Sequence, residues 1–109
     1  MKIYLFDSWK LKFMRPVLEH WQALGHEVQH DIWWGPDRVE WADLCYFYPV
    51  ENNLRRASTE QEKPPGSRII AEAVDADIYG GHWKGVNWNF VDVLVCMSKH
   101  MIDFMHPDL

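Results

Sequence analysis

Two carboxylates and an imidazole stand close together in one turn-rich segment: Asp75, Asp77 and His82, around the glycine pair Gly80-Gly81. With Asp7, which closes the first apolar run, they are the only convergent ionisable set that the chain offers. A carboxylate or imidazole at the end of a strand can take the proton of a hydroxyl or hold that hydroxyl for attack. The same residues have a plainer use. An Asp in a turn bonds its own backbone, and two glycines make a turn as readily as they let a backbone approach a phosphate or sugar. Residue types alone leave both uses open.

The elements that would position this set are two short apolar runs on either side of it, Ile69–Val74 and Val91–Met97. Both have strand length and β-branched content, and neither alternates cleanly, so both read as strands covered on two faces. Open sheets of such strands bind ligands beyond the carboxyl ends, where the acidic residues lie. Lys2–Asp7 (KIYLFD) is an opening strand, expected to be central. Pro16–Leu24, with Val17, Leu18, Trp21 and Leu24 at helical spacing, is a helix stopped by Gly25. Val28–Trp34 is a second strand, turned by Gly35-Pro36-Asp37, and Leu44–Tyr48 (LCYFY) a third, closed by Pro49. Glu51–Lys63 is polar, with Leu54 and Ala57 at helical separation, and reads as a short solvated helix or ordered loop before Pro64-Pro65-Gly66-Ser67. Ser98 is placed to cap a final helix of Met101, Ile102, Phe104 and Met105, ended by Pro107.

These elements predict an α/β, Rossmann-like open parallel sheet of about five strands, in the order 3-2-1-4-5, with helices on both faces and one domain over residues 1–109. The connection from Asp75 to Asp92 reads as a binding loop and not a covering helix. Residues at the strand ends and in that loop are the candidates for holding a substrate: Asp7, Ser8, Trp9, Gly80, Gly81, Trp83, Trp88, Ser98 and Lys99.

Composition excludes several function classes. The formal charge of −5, without a dense Lys/Arg cluster, disfavours a nucleic-acid footprint or an anionic membrane surface. No apolar run approaches the roughly 18 residues of a membrane span, and no signal-peptide pattern opens the chain, so a cytoplasmic protein is expected. The first strand is followed by Asp7-Ser8-Trp9 and not by a glycine fingerprint, which argues against a dinucleotide cofactor. The histidines show no metal-ligand spacing, and no metal is expected. Ser98 sits on no nucleophile elbow. Cys45 and Cys96 each fall inside an apolar strand, on opposite sides of the first in the expected order, and should be free thiols. A receiver-type signalling domain would need an Asp where LCYFY ends; the chain has Pro49, Val50 and Glu51. Seven tryptophans are many for this length. Trp9, Trp33, Trp34, Trp41, Trp83 and Trp88 fall at strand ends or in loops, suited to stacking on a sugar ring or to packing against helices or a partner.

One stretch carries a family likeness. Asn87, Trp88, Val91 and Asp92 lead into a strand that ends at Ser98, followed by Met101. The pattern resembles the first, acceptor-side domain of retaining GT-B glycosyltransferases. The resemblance implies metal-independent transfer of a hexosyl group from a nucleotide sugar, with Asp75, Asp77 or His82 beside the reacting sugar, without choosing among them. It also implies that the chain spans only part of such a domain, and that turnover requires a donor-binding domain. The alternative from another class is a non-catalytic α/β binding or self-assembly module, a homodimer that hides Trp33, Trp34 or Trp83.

Overall fold

Apolar strands that hide both faces need helices on either side, and the chain supplies them by alternation. The computed structural model describes residues 1–105. In chain order these are β1 (Lys2–Asp7), α1 (Arg15–Ala23), β2 (Glu27–Asp31), α2 (Pro36–Trp41), β3 (Leu44–Tyr48), α3 (Asn52–Glu60), β4 (Arg68–Ala73), α4 (Asp75–Tyr79), a 3-10 turn (Trp88–Phe90), β5 (Val93–Cys96) and α5 (Lys99–Met105). All the strand pairs are parallel. The architecture is therefore the expected Rossmann-like α/β sheet. Among the described residues no helix is long and apolar enough to cross a membrane.

The strand order is β2-β1-β3-β4-β5, not 3-2-1-4-5. Polarity explains the exchange of β2 and β3. β2 is EVQHD, with Glu27, Gln29 and His30 exposed, whereas β3 is LCYFY, with Cys45, Phe47 and Tyr48 buried. A strand apolar on both faces belongs inside the sheet, and a polar one at its edge. β3 therefore pairs with β1 from Ile3↔Leu44 to Asp7↔Tyr48. Cys45 and Cys96 consequently lie on the same side of β1, separated by β4, and remain free. Burial pushes the Cys45 thiol up to about 12, far from a reactive thiolate at neutral pH.

One face of the sheet carries the larger core: Tyr4, Phe6, Phe47, Ile69 and Ala71 pack with Val39 of α2, Leu54 of α3, Ile78 of α4 and Met101 of α5. On the other face Leu5 and Tyr48 meet Leu11, Met14 and Leu18. α1 does not reach across to β5, where Val93 and Val95 are exposed at 50% and 39%. β5 is thus covered on one face only, contrary to expectation.

Local differences have local causes. β2 stops at Asp31 because its carboxylate turns back to accept from the Ile32 and Trp33 amides at 2.7 and 3.2 Å. Gly35-Pro36-Asp37 opens α2 instead of forming a plain turn, with Pro36 in the first helical turn. α3 is not solvated, since Asn53, Leu54, Ala57 and Ser58 are all buried. The Asp75–Asp92 connection covers the sheet after all, through α4 and through Trp83, Val86 and Phe90 in the core. Ser98 caps α5 as expected, its Oγ accepting from the Met101 amide at 3.4 Å. Pro107 lies outside the described residues.

Because α3 is anchored, Leu54→Ala should cost about 2–5 kcal/mol, the range for a buried Leu truncation. Urea unfolding followed by far-UV circular dichroism measures it. A loss under about 0.5 kcal/mol, the usual effect at a solvated position, would show the helix to be peripheral.

Candidate functional site

The order of the strands decides where a crevice opens. From β1 the chain moves to β2 on one side, then crosses to β3 on the other, so the loops after β1 and β3 diverge and leave room between them. On the β1 side stand Asp7 and Ser8; on the β3 side stand Val50 and Glu51. Ser8 Oγ donates to the Glu51 carboxylate across the gap.

Asp7 is 1% exposed, and its carboxylate is spent on its own loop, accepting from the Trp9 amide at 2.8 Å and the Leu11 amide at 3.1 Å. Burial holds its pKa above the ordinary value, opposed by those two amides. It holds the loop after β1 in place.

Asp77 joins the third side. It sits in the first turn of α4, immediately beyond β4, and Oδ2 accepts from the Val74 amide at 2.9 Å and the Val50 amide at 3.1 Å. One carboxylate thereby ties the end of β3 to the end of β4. Oδ1 faces His82 Nδ1 at 3.5 Å. Asp77 is 1% exposed while the His82 side chain is 43% exposed, so the carboxylate lies beneath and the ring above. Burial raises the Asp77 pKa most, the amides and His82 oppose it, and the charge of Glu51 adds to it.

The ring has its place because residue 80 lacks a side chain. A Cβ on Gly80 would come within 2.6 Å of the Ala76 carbonyl oxygen and 3.0 Å of His82 Nε2. Gly81 follows at φ +73° and turns the chain towards Trp83. A buried carboxylate opposite Nδ1 favours the proton there, which leaves Nε2 as the basic atom of an exposed ring. A carboxylate and an imidazole so placed can act as a general base.

Glu51, Asp77 and His82 bring one donor atom each within 4.8 Å of one another, close enough to hold a divalent cation. Histidine spacing in the sequence could not reveal this set, which two separate segments assemble, Glu51 after β3 and Asp77 with His82 after β4.

The remaining candidates divide clearly. Asp75 is exposed in the first turn of α4. Trp83 belongs to the core, with Nε1 donating to the Ile78 carbonyl at 2.9 Å, and Trp88 is half-buried against the same core. Trp9 packs edge-on against Phe13 and Tyr48. Ser98 serves α5, and exposed Lys99 pairs with Asp103 at 2.9 Å, both beyond β5. Ser8, Gly80, Asp77 and His82 come together; Trp83, Trp88, Ser98 and Lys99 do not join them. Glu51 is the member that sequence reasoning missed. Its signal was the polarity of EVQHD, which makes β2 an edge and seats β3 beside β1.

The buried carboxylates set a pH dependence. Asp7 and Asp77 hold protons more tightly in the folded chain than in the unfolded one, so their contribution to stability falls as pH rises above about 4 and through their folded values. Asp77→Asn keeps one oxygen for the Val50 and Val74 amides and removes that titration. The urea midpoint of the variant should therefore fall less than that of the wild type between about pH 4 and 7. Parallel profiles would mean that Asp77 is not strained by burial.

No protein-family model, curated protein or solved structure matches this chain, so its geometry is what speaks for its chemistry.

Proposed function

We propose that this chain is the acceptor-side domain of a glycosyltransferase-like protein, with His82 as the base. The observation that carries the proposal is the buried Asp77 under the half-exposed His82, with Glu51 beside them and Ser8 facing Glu51 from the β1 side. The acceptor hydroxyl gives its proton to His82 Nε2. The acceptor oxygen bonds to the anomeric carbon of the sugar, and the bond from that carbon to the diphosphate of a nucleotide sugar breaks. Asp77 supports the resulting imidazolium, as a buried partner carboxylate does elsewhere. A donor-binding domain supplies the nucleotide sugar, and the acceptor lies on the rim of this sheet.

The test mixes the chain with a candidate donor-binding domain and follows sugar release from a nucleotide sugar onto an acceptor alcohol. Asp77→Asn turns an amide N–H₂ towards Nδ1 and so moves the ring proton to Nε2. It should lower turnover about 10²–10⁴-fold, the usual worth of a positioned base, as should His82→Gln. Exposed Asp75→Asn should leave turnover within about twofold. Undiminished transfer by Asp77→Asn, or no transfer by the wild type with any donor domain, overturns the proposal.

A second reading, a self-assembling module, is favoured by the apolar edge at β5. Val93 and Val95 are exposed there, and Ile102 and Phe104 of α5 are exposed at 42% and 51%. An edge strand with an apolar face is a pairing surface. Under this reading sedimentation finds a homodimer that Val95→Lys dissociates; a wild-type monomer at high concentration removes it. Trp83 is sealed in its own core, and Trp33, 60% exposed, follows β2 at the opposite edge of the sheet, so neither belongs to the β5 edge.

A further inference from the structure

Charge is unevenly spread in this acidic chain. From Ser8 to Val17 there is no Asp or Glu, yet Lys10, Lys12 and Arg15 all fall there. Elsewhere some cations meet carboxylates, as Arg38 reaches Asp31 at 3.2 Å, Arg56 reaches Glu60 at 2.7 Å and Lys63 meets Asp92, while Lys2, Arg55, Arg68 and Lys84 do not. Among the described residues Lys10 and Arg15 have no such partner within salt-bridge distance.

Both line the same cleft, of about 310 Å³, between the carboxyl ends of β1 and β2, with His30 on its far wall. Two carboxylates also border it, Asp7 and Asp31, but each is already engaged. Asp7 is bonded by the Trp9 and Leu11 amides, and Asp31 by Arg38 and the Ile32 amide. Amide hydrogen bonds do not cancel a formal charge, so Lys10, Arg15 and Arg38 stand against Asp7 and Asp31 here, and the balance around the cleft is positive by a single charge.

The backbone holds this charge in place. Lys10 and Leu11 adopt φ of +54° and +64°, a region that residues other than glycine rarely enter. Buried Asp7 holds the amides on either side of Lys10, which keeps the loop in this form.

We infer that the cleft binds a phosphate-bearing small molecule, with Lys10, Arg15 and His30 around the phosphate oxygens. Arg15 offers a planar fork for two oxygens and Lys10 a compact point charge. Two cations and an imidazole in a cleft at the lower end of ligand-pocket volumes suit a sugar phosphate or a free diphosphate, and are too few for a nucleic-acid strand. Nothing in this inference requires the transfer chemistry proposed above.

The experiment is titration calorimetry of the full chain with pyrophosphate, with a sugar phosphate, and with the same sugar lacking phosphate. Both phosphorylated probes should bind saturably, and the bare sugar should not compete. Added salt should weaken binding. Lys10→Gln and Arg15→Gln should each reduce affinity about tenfold, the scale of one charge-assisted contact, whereas Lys99→Gln should change nothing. Tighter binding of the sugar phosphate than of pyrophosphate identifies a carried phosphate as the ligand, and the reverse identifies the free anion. Lys10, exposed, and Arg15, at the surface of α1, leave the core intact, and circular dichroism verifies each fold. Absence of saturable binding by the wild type, or equal binding by the Gln variants, overturns the inference.

Discussion

A single buried carboxylate holds the functional edge of this molecule together. Parallel strands deliver their carboxyl ends to one rim but do not fix the loops that leave them. Asp77 does so here, by accepting from the Val50 amide after β3 and the Val74 amide after β4 with the same oxygen. An ionised group at 1% exposure is costly unless its lone pairs are filled. Two amides fill one oxygen, and among the described residues His82 alone is within hydrogen-bond reach of the other. The imidazole is thus part of what makes the buried charge tolerable, and the charge is what orients the imidazole.

Much of the fold was legible in the residues. β-branched runs marked β4 and β5, helical spacing and a glycine stop marked α1, and Ser98 marked the start of α5. The position of β3 was not recovered, because a standard strand order was applied to strands whose polarity contradicted it. EVQHD can tolerate an edge and LCYFY cannot. Reading that contrast first would have seated Glu51 beside Ser8. α2 and the buried face of α3 were obscured for another reason. Pro36 and a polar stretch look like loop locally, and only the packing of Val39 and Leu54 under the sheet makes them helical.

The site was legible in part. Asp77 and His82 stood out by type, but so did Asp75, two residues from Asp77 and alike in every local respect. What separates them is the periodicity of α4. The first residue of the helix points to solvent, and the third reaches back to the strand end. A segment taken as a loop has no such periodicity, so the two aspartates could not be told apart before the helix was known. The tryptophans misled in the opposite sense. Trp83 and Trp88 sit in a sequence of loop character, yet the crossover uses them to roof β4, where a covering helix would otherwise lie.

Asp7 and Asp77 place two buried carboxylates at the ends of β1 and β4, with β3 between, and they do opposite work. Asp77 turns its second oxygen to a side chain that solvent can reach. Asp7 turns both oxygens inward to amides and projects influence only through the loop that it holds, with Lys10 at its tip. The rim is thereby divided at the point where the strand order reverses. On the β3 and β4 side it is acidic and carries an imidazole; on the β1 and β2 side it is basic. A substrate with a hydroxyl at one end and an anionic group at the other would find both ends answered by one row of strand termini. That division follows from which side of β1 the polar strand takes.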